Sequence, residues 1–241
     1  MTNYYDNVYI NDKYTLLASK KYDPIIFGNV DKFIDDYYLG EKTIELAESR
    51  YQQLTINGLI EKNKDKEISL LISGDLQNQI LCSTLSASKF KIPYLGIYSA
   101  CASFCEGLII ASNLIKNNNI IVTTSSHNLV SEKQFRFPVE YGALRKRVNT
   151  CTASGSVSVL VSNNKSNIKV ESSTIGYVCK TGHKDTNDMG SAMAPACAEV
   201  LKKHLIDTKR NVEYYDLILT GDLGIYGTEI MKKYFNKITK K

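Results

Sequence analysis

Two stretches of the chain, ISLLISGDL at 68–76 and YDLILTGDL at 215–223, are near copies. Each is an apolar run ending in Ser or Thr, then Gly, Asp and Leu, and each reads as a buried strand entering a turn. The context repeats as well. Residues 41–60 place Ile44, Leu46, Ala47, Tyr51, Leu54 and Leu59 at the spacing of an amphipathic helix, and the charged run EKNKDKE follows. Before the second copy, SAMAPACAEVLKKHLI at 191–206 and the polar DTKRNVEYY take the same places. A helix, polar loop, strand and GDL turn used twice constrain the fold to a duplicated α/β unit. The first unit continues to about Asn163, whereas the second has only 224–241 after its turn, so the second half is expected to be incomplete.

Between the copies the pattern alternates. Residues 77–90 read as helix, 92–100 as strand, 101–119 as a long apolar helix and 120–128 as strand. Residues 152–163 and 167–179 read as antiparallel strands joined by the turn NNKS, and about 1–40 as an N-terminal extension. This predicts a layered α/β fold, helices covering a mixed sheet, with a first half over 1–180 and the start of a second over 181–241.

Composition narrows the function classes. With 43% hydrophobic and 23% charged residues, and only 4 Pro and 14 Gly, the chain can bury a core and is not low-complexity. No apolar run reaches the ~18 residues that span a bilayer, and MTNYYDNVYI has no leader character, so a cytosol-like compartment is expected. The net charge of +5 is spread along the chain, which argues against nucleic-acid binding. Its densest basic stretch, Lys232, Lys233, Lys237, Lys240 and Lys241, is either a solvated helix face or an anionic-lipid contact. The six cysteines form no CxxC pair and no Cys/His cluster, and no cofactor or protein metal site is expected.

One cysteine stands apart. The strand at 92–100 delivers Cys101 to the start of a helix, where unpaired N–H groups would lower a thiol pKa. A nucleophile also needs a base or oxyanion donors. The three histidines, His127 at a strand end, His183 in a loop and His204 on a helix, do not obviously supply one.

The blocks YSACASFCEGL (98–108), TTSSHN (123–128), EKQFRFPVEYG (132–142), HKDTNDMGSAMAPA (183–196) and YDLILTGDLG (215–224), with SGDLQNQ (73–79), resemble the stage V sporulation protein AD family of endospore formers. The resemblance implies a thiolase-like duplicated α-β-α fold, with Cys101 at the acyl-accepting position of thiolases and ketoacyl synthases. Where ketosynthase-like relatives carry His-x-x-Asn, this chain has Thr220-Gly221-Asp222-Leu223-Gly224, and an ionised Asp would oppose an oxyanion. The resemblance therefore implies a non-catalytic scaffold that binds dipicolinic acid, alone or as its calcium chelate, for uptake into the developing spore. It also implies membrane partners of the SpoVA system, a position peripheral to the forespore inner membrane and a possible homodimer.

A planar dianion calls for cations, backbone N–H groups and an apolar face. The candidates are Cys101, His127, Arg136, Tyr141, Lys184, Asp185, Asn187, Asp188 and Asp222. Each has a structural alternative. Arg136 can pair with Glu132 or Glu140, Lys184 and Asp185 can be loop charges, and Asn187 and Asp188 can cap the next helix. Asp222, like Asp75, can close its GDL turn, and His127 can be a satisfied core histidine. Two other functions stay open: a ketoacyl-synthase-like acyltransferase using Cys101, and a shortened interaction protein without a ligand.

Overall fold

The computed structural model describes residues 1–18, 29–135, 152–185 and 188–239. In chain order its strands and helices are β1 (Thr2–Tyr4), β2 (Tyr9–Leu17), β3 (Lys32–Phe33), α1 (Ile44–Lys62), β4 (Leu70–Gly74), α2 (Leu81–Ala87), β5 (Tyr94–Gly96), α3 (Ser103–Leu114), β6 (Ile120–Ser126) and α4 (Asn128–Phe135). They continue with β7 (Gly155–Ser162), β8 (Ile168–Lys169), β9 (Ser172–Thr174), α5 (Met189–Thr208) and α6 (Gly224–Thr239). The chain divides into two compact units, one formed by the described residues from Tyr5 to Glu171, the other by Met1–Tyr4 and those from Ser172 onward.

The first unit is built on a mixed sheet in the order β3-β2-β7-β6-β4-β5, with β8 also on β2. β4 pairs in parallel with both β5 and β6, whereas β7 runs antiparallel to β6 and β2. Side chains alternate across a strand, so successive apolar residues feed opposite faces. Leu71, Ile121 and Leu160 pack with Ile56 and Leu59 of α1 and Ala87 of α2. Their neighbours Ile72, Val122, Val159 and Val161 pack on the other face with Ala111 of α3, flanked by Phe104 and Leu108. Burying each such side chain contributes ~1.5–3 kcal/mol, and strands covered on both faces explain the unbroken apolar runs at 70–72 and 120–122.

The sheet corrects two expectations. Residues 9–17 are not part of an extension but a central strand, β2; its sequence YINDKYTLL mixes polar and apolar residues and hides the pattern. The expected pairing of 152–163 with 167–179 does not form either. β2 lies between β7 and β8 and bonds to both, and the second stretch breaks into β8 and β9.

In the second unit β1 pairs antiparallel with β9, and Thr2 Oγ1 donates to Asp207 Oδ2 of α5 at 2.6 Å. α5 and α6 cross at Gly190 and Gly227, where a Cβ on Gly227 would come within 2.8 Å of the Gly190 carbonyl carbon. The second copy of the repeat departs from expectation. Residues 217–220 form no strand; Leu217 and Leu219 are 71% and 82% exposed, and among the described residues no strand pairs with them. A strand exists only through a hydrogen-bonded neighbour, so the apolar pattern alone does not make one.

Candidate functional site: the Cys101 pocket

An open pocket of about 450 Å³ lies at the end of β4 and β6 in the first unit. Cys101, Ser103 and Phe104 stand on one side, Thr124, Ser125 and Ser126 on another, and Asp75, Ser156 and Thr15 complete the polar lining. The helix expected from residue 101 begins as a single 3₁₀ turn, Ala100–Ala102, before α3. Ala100 sits at φ 47°, a left-handed conformation that costs a non-glycine residue of order 1 kcal/mol and that turns the chain sharply from strand to helix. Ser103 holds the turn: its hydroxyl donates to Ala100 O at 2.8 Å and accepts from Ser99 N at 3.0 Å. The GDL glycine makes room for it, since a Cβ on Gly74 would lie 2.9 Å from Ile97 O and 3.1 Å from Ser103 Cβ.

The turn presents Cys101 but does not activate it. Desolvation of the sulfur pushes the thiol above its ordinary value, and a backbone hydrogen bond offsets this only in part. This runs against the lowering expected from the helix start: at Cys101 desolvation acts opposite to the favourable N–H groups. Among the described residues that line the pocket there is no His, Asn, Lys or Arg.

Behind the pocket wall lies a buried polar network. Ser125 Oγ donates to Glu48 Oε1 at 2.8 Å and accepts from Gln52 Nε2 at 2.8 Å. Gln52 also donates to Gly74 O and Ser83 Oγ, and its Oε1 accepts from Ser73. Asp75 ends the chain of contacts by accepting from Gln77 N, Ser83 N and Ser83 Oγ at 2.7–2.8 Å. Glu48 is fully buried and its Oε2 has no hydrogen-bond partner. Burial, reinforced by the nearby Asp75 charge, pushes its pKa up to about 8. This network is not singled out by the sequence pattern: Glu48, Gln52 and Thr55 are buried on α1 beside Ile44, Tyr51 and Leu59, whereas Leu46, one of the apolar positions of the helix pattern, is exposed. Glu48, Gln52 and Thr55 of α1 meet the C-terminal end of β6 and the N-terminal half of β7, which present Ser125, Ser156 and Ser158 rather than aliphatic residues.

The other described candidates are not among the pocket-lining residues. His127 is buried and stacked on Tyr51 at 5.7 Å; its Nδ1 accepts from Leu129 N, which leaves Nε2 to donate to Tyr37 O at 3.3 Å. It therefore caps α4 as a core histidine and does not line the pocket. Lys184, Asp185, Asp188 and Asp222 belong to the second unit. Lys184 and Asp185 are exposed, Asp188 caps α5 by accepting from Ser191 N at 3.0 Å, and Asp222 accepts from Gly224 N at 3.0 Å at the start of α6. The Asp75 and Asp222 carboxylates thus keep the same turn-closing role in both copies. His204 bridges Thr174 Oγ1 and the Tyr215 hydroxyl at 2.8 and 2.6 Å, and His183 Nε2 lies 4.0 Å from Asp188. Arg136, Tyr141 and Asn187 lie outside the described residues. Among the described residues no group of three or more His, Cys, Asp or Glu side chains is placed to hold a metal, and no helix is long and apolar enough to cross a membrane.

The family model for stage V sporulation protein AD (SpoVAD) matches residues 2–240. The chain belongs to the SpoVAD family. Stage V sporulation protein AD of Bacillus subtilis is 38% identical over 231 residues, which span 93% of this chain and 68% of that protein. Among solved structures, a variant of Xanthomonas campestris OleA superposes with a TM-score of 0.64 at 12% identity, covering 97% of this chain and 82% of the other. A 3-oxoacyl-(acyl-carrier-protein) synthase III gives 0.57 at 10% identity, covering 96% and 83%. These likenesses establish a thiolase-like fold for this SpoVAD-family chain, as the family resemblance implied.

Proposed function

We propose that this SpoVAD-family protein uses the Cys101 pocket to bind dipicolinic acid as its calcium chelate, without catalysing acyl transfer. The observation that carries this reading is the chemistry of the lining. A neutral thiol stands beside hydroxyl groups, with no histidine or asparagine among the described lining residues to act as base or oxyanion donor.

The hydroxyls also discriminate between ligand forms. Ser103 donates to Ala100 O, Ser126 to Ala153 O at 2.7 Å, Ser156 to Thr124 O at 3.0 Å and Thr15 to Asp31 Oδ2 at 2.9 Å. Their hydrogens are committed to the protein, so any lone pairs they present to the pocket accept rather than donate. A bare dianion would face those oxygens and the Asp75 carboxylate with no described cation against it. In the chelate, calcium balances the two carboxylates and prefers oxygen ligands. Phe104 and Leu16 offer apolar surface to the pyridine ring.

Delivery to membrane partners of the SpoVA system and a position against the forespore inner membrane complete the reading, with a homodimer as the working assembly. Lys232, Lys233 and Lys237 are exposed on α6 and could touch anionic lipid. Calorimetric titration of dipicolinate with and without calcium tests the binding itself. Heat of binding that requires calcium is expected; no binding in either condition would refute the proposal.

A further inference from the structure

The hydroxyls that line the Cys101 pocket differ in what receives their hydrogens. Ser103, Ser126 and Ser156 donate to backbone carbonyls, which are fixed acceptors, and Thr15 donates to Asp31, which Lys13 and Lys62 hold ionised. Ser125 also lines the pocket, but its Oγ donates at 2.8 Å to Glu48, a carboxyl group that can carry a proton of its own. A serine hydroxyl has one hydrogen and two lone pairs. Gln52 Nε2 fills one lone pair of Ser125 at 2.8 Å. The amide cannot flip, because the same nitrogen donates to Gly74 O at 3.1 Å while Oε1 accepts from Ser73 Oγ at 2.8 Å. The variable partner of Ser125 is therefore Glu48.

Glu48 is fully buried and its Oε2 has no hydrogen-bond partner. The titratable groups that face it are Asp75 after β4, Cys82 of α2, Tyr51 of its own helix and His127 after β6, whose backbone N–H reaches the carboxyl. Burial and the Asp75 charge push the Glu48 pKa up to about 8, so at neutral pH the group holds its proton. On Oε2 that proton meets no acceptor. Carried on Oε1, it can be donated to the second lone pair of Ser125 across the same 2.8 Å contact, and the Ser125 hydrogen is then free to turn into the pocket.

We infer that Glu48 is a positioning residue for the ligand: its proton decides whether the Ser125 hydroxyl donates to a carboxylate in the Cys101 pocket or is held by Glu48. With Glu48 protonated, the ligand carboxylate accepts from Ser125 and Ser125 accepts from Glu48. With Glu48 ionised, its carboxylate keeps the Ser125 hydrogen, and its charge opposes a second carboxylate on the far side of the hydroxyl. In the calcium chelate, the carboxylate oxygens that point away from the metal are the ones able to accept. This role rests on the pocket taking dipicolinate, as proposed above, and makes binding and protonation of Glu48 favour each other. Where the empty pocket has lost the Glu48 proton, binding takes one proton from solvent, so affinity falls as pH rises through about 8 and is level below it.

Calorimetric titration of the 241-residue chain with dipicolinate and calcium, from about pH 6.5 to about 9.5 in buffers of different ionisation enthalpy, reads both affinity and proton uptake. The wild type is expected to bind with level affinity up to about pH 7.5, then to weaken by roughly tenfold per pH unit while taking up close to one proton. Glu48→Gln should bind with level affinity throughout and without proton uptake, because an amide N–H donates to Ser125 at every pH. Ser125→Ala should bind roughly tenfold more weakly than wild type at neutral pH and also lose the pH dependence. Binding that is level with pH in the wild type, or that weakens equally in Glu48→Gln, overturns the inference and leaves the pocket standing as a dipicolinate site. No binding at any pH overturns the pocket reading and this inference together.

Discussion

Ser125 Oγ lies 2.8 Å from Oε1 of Glu48 and donates its proton to a carboxyl group that is fully buried beside Asp75. Ionised, that carboxyl would leave Oε2 unsatisfied in a low-dielectric site, and such a group keeps its proton instead. The unfolded chain loses the proton near 4.5 and the folded chain near 8, so between these values the folded state binds more protons and this contribution to stability falls as pH rises. The slope approaches roughly 1.4 kcal/mol per pH unit. Glu48→Gln keeps an acceptor for Ser125 without a charge. Urea denaturation across this range is expected to show the variant gaining on the wild type as pH increases; parallel curves would show that Glu48 is ionised in the fold.

The raised thiol of Cys101 makes a kinetic prediction. Alkylation by iodoacetamide at neutral pH should be several-fold slower than for a free cysteine, because the thiolate is the reacting form. The rate should climb only above the ordinary thiol range. Peptide mapping by mass spectrometry checks this, and the same samples incubated with an acyl thioester should carry no acyl group on Cys101. Rapid acylation at neutral pH would restore the acyltransferase reading.

Asp31 anchors β2. Burial alone would raise its pKa, but Lys62, Thr15 and Lys13 outweigh it and hold the carboxyl well below the usual range. It accepts from Thr15 N and Oγ1 at 2.9 Å and from Lys62 Nζ at 2.5 Å. A depressed carboxyl stabilises above its unfolded pKa and the benefit is lost as pH falls through the folded value. Asp31→Asn should cost about 1–3 kcal/mol at neutral pH and flatten the acid limb of the stability curve. Thermal melts at neutral and acidic pH measure both effects.

Gly74→Ala tests the close packing under the pocket. The added methyl would meet Ile97 O at 2.9 Å, a backbone atom that cannot step aside without shifting β5. A loss of about 1–3 kcal/mol is expected, larger than for alanine at Gly221, where a Cβ meets nothing within 4 Å.

Much of the first unit is legible in the residues. Aliphatic runs such as 70–72 and 120–122 announce strands covered on both faces, and the spacing at 44–59 announces α1. The failures share a physical cause, which is that pairing and enclosure are three-dimensional. β2 alternates too weakly to read, yet it separates β7 from β8; residues 217–220 have the pattern of a strand but no neighbour to make them one. At the site, the Ser-Ala-Cys-Ala turn places Cys101 in the lining of a pocket. The sign of the thiol's pKa shift depends on how much water reaches the sulfur, which local spacing does not encode; Glu48 lies four residues after Ile44 on the inward face of α1, and what the sequence does not show is the set of hydroxyl partners that meets it there.

The central claim is that the ligand occupies the Cys101 pocket as a calcium chelate, and protection of that cysteine tests it most directly. Alkylation of Cys101 is followed at mildly alkaline pH, with Cys197 of α5 as internal control, in dipicolinate alone, calcium alone and both together. Slowing of Cys101, and not of Cys197, only when dipicolinate and calcium are both present is the predicted result. Unchanged labelling of Cys101 under conditions where calorimetry detects binding would place the ligand elsewhere and contradict the account.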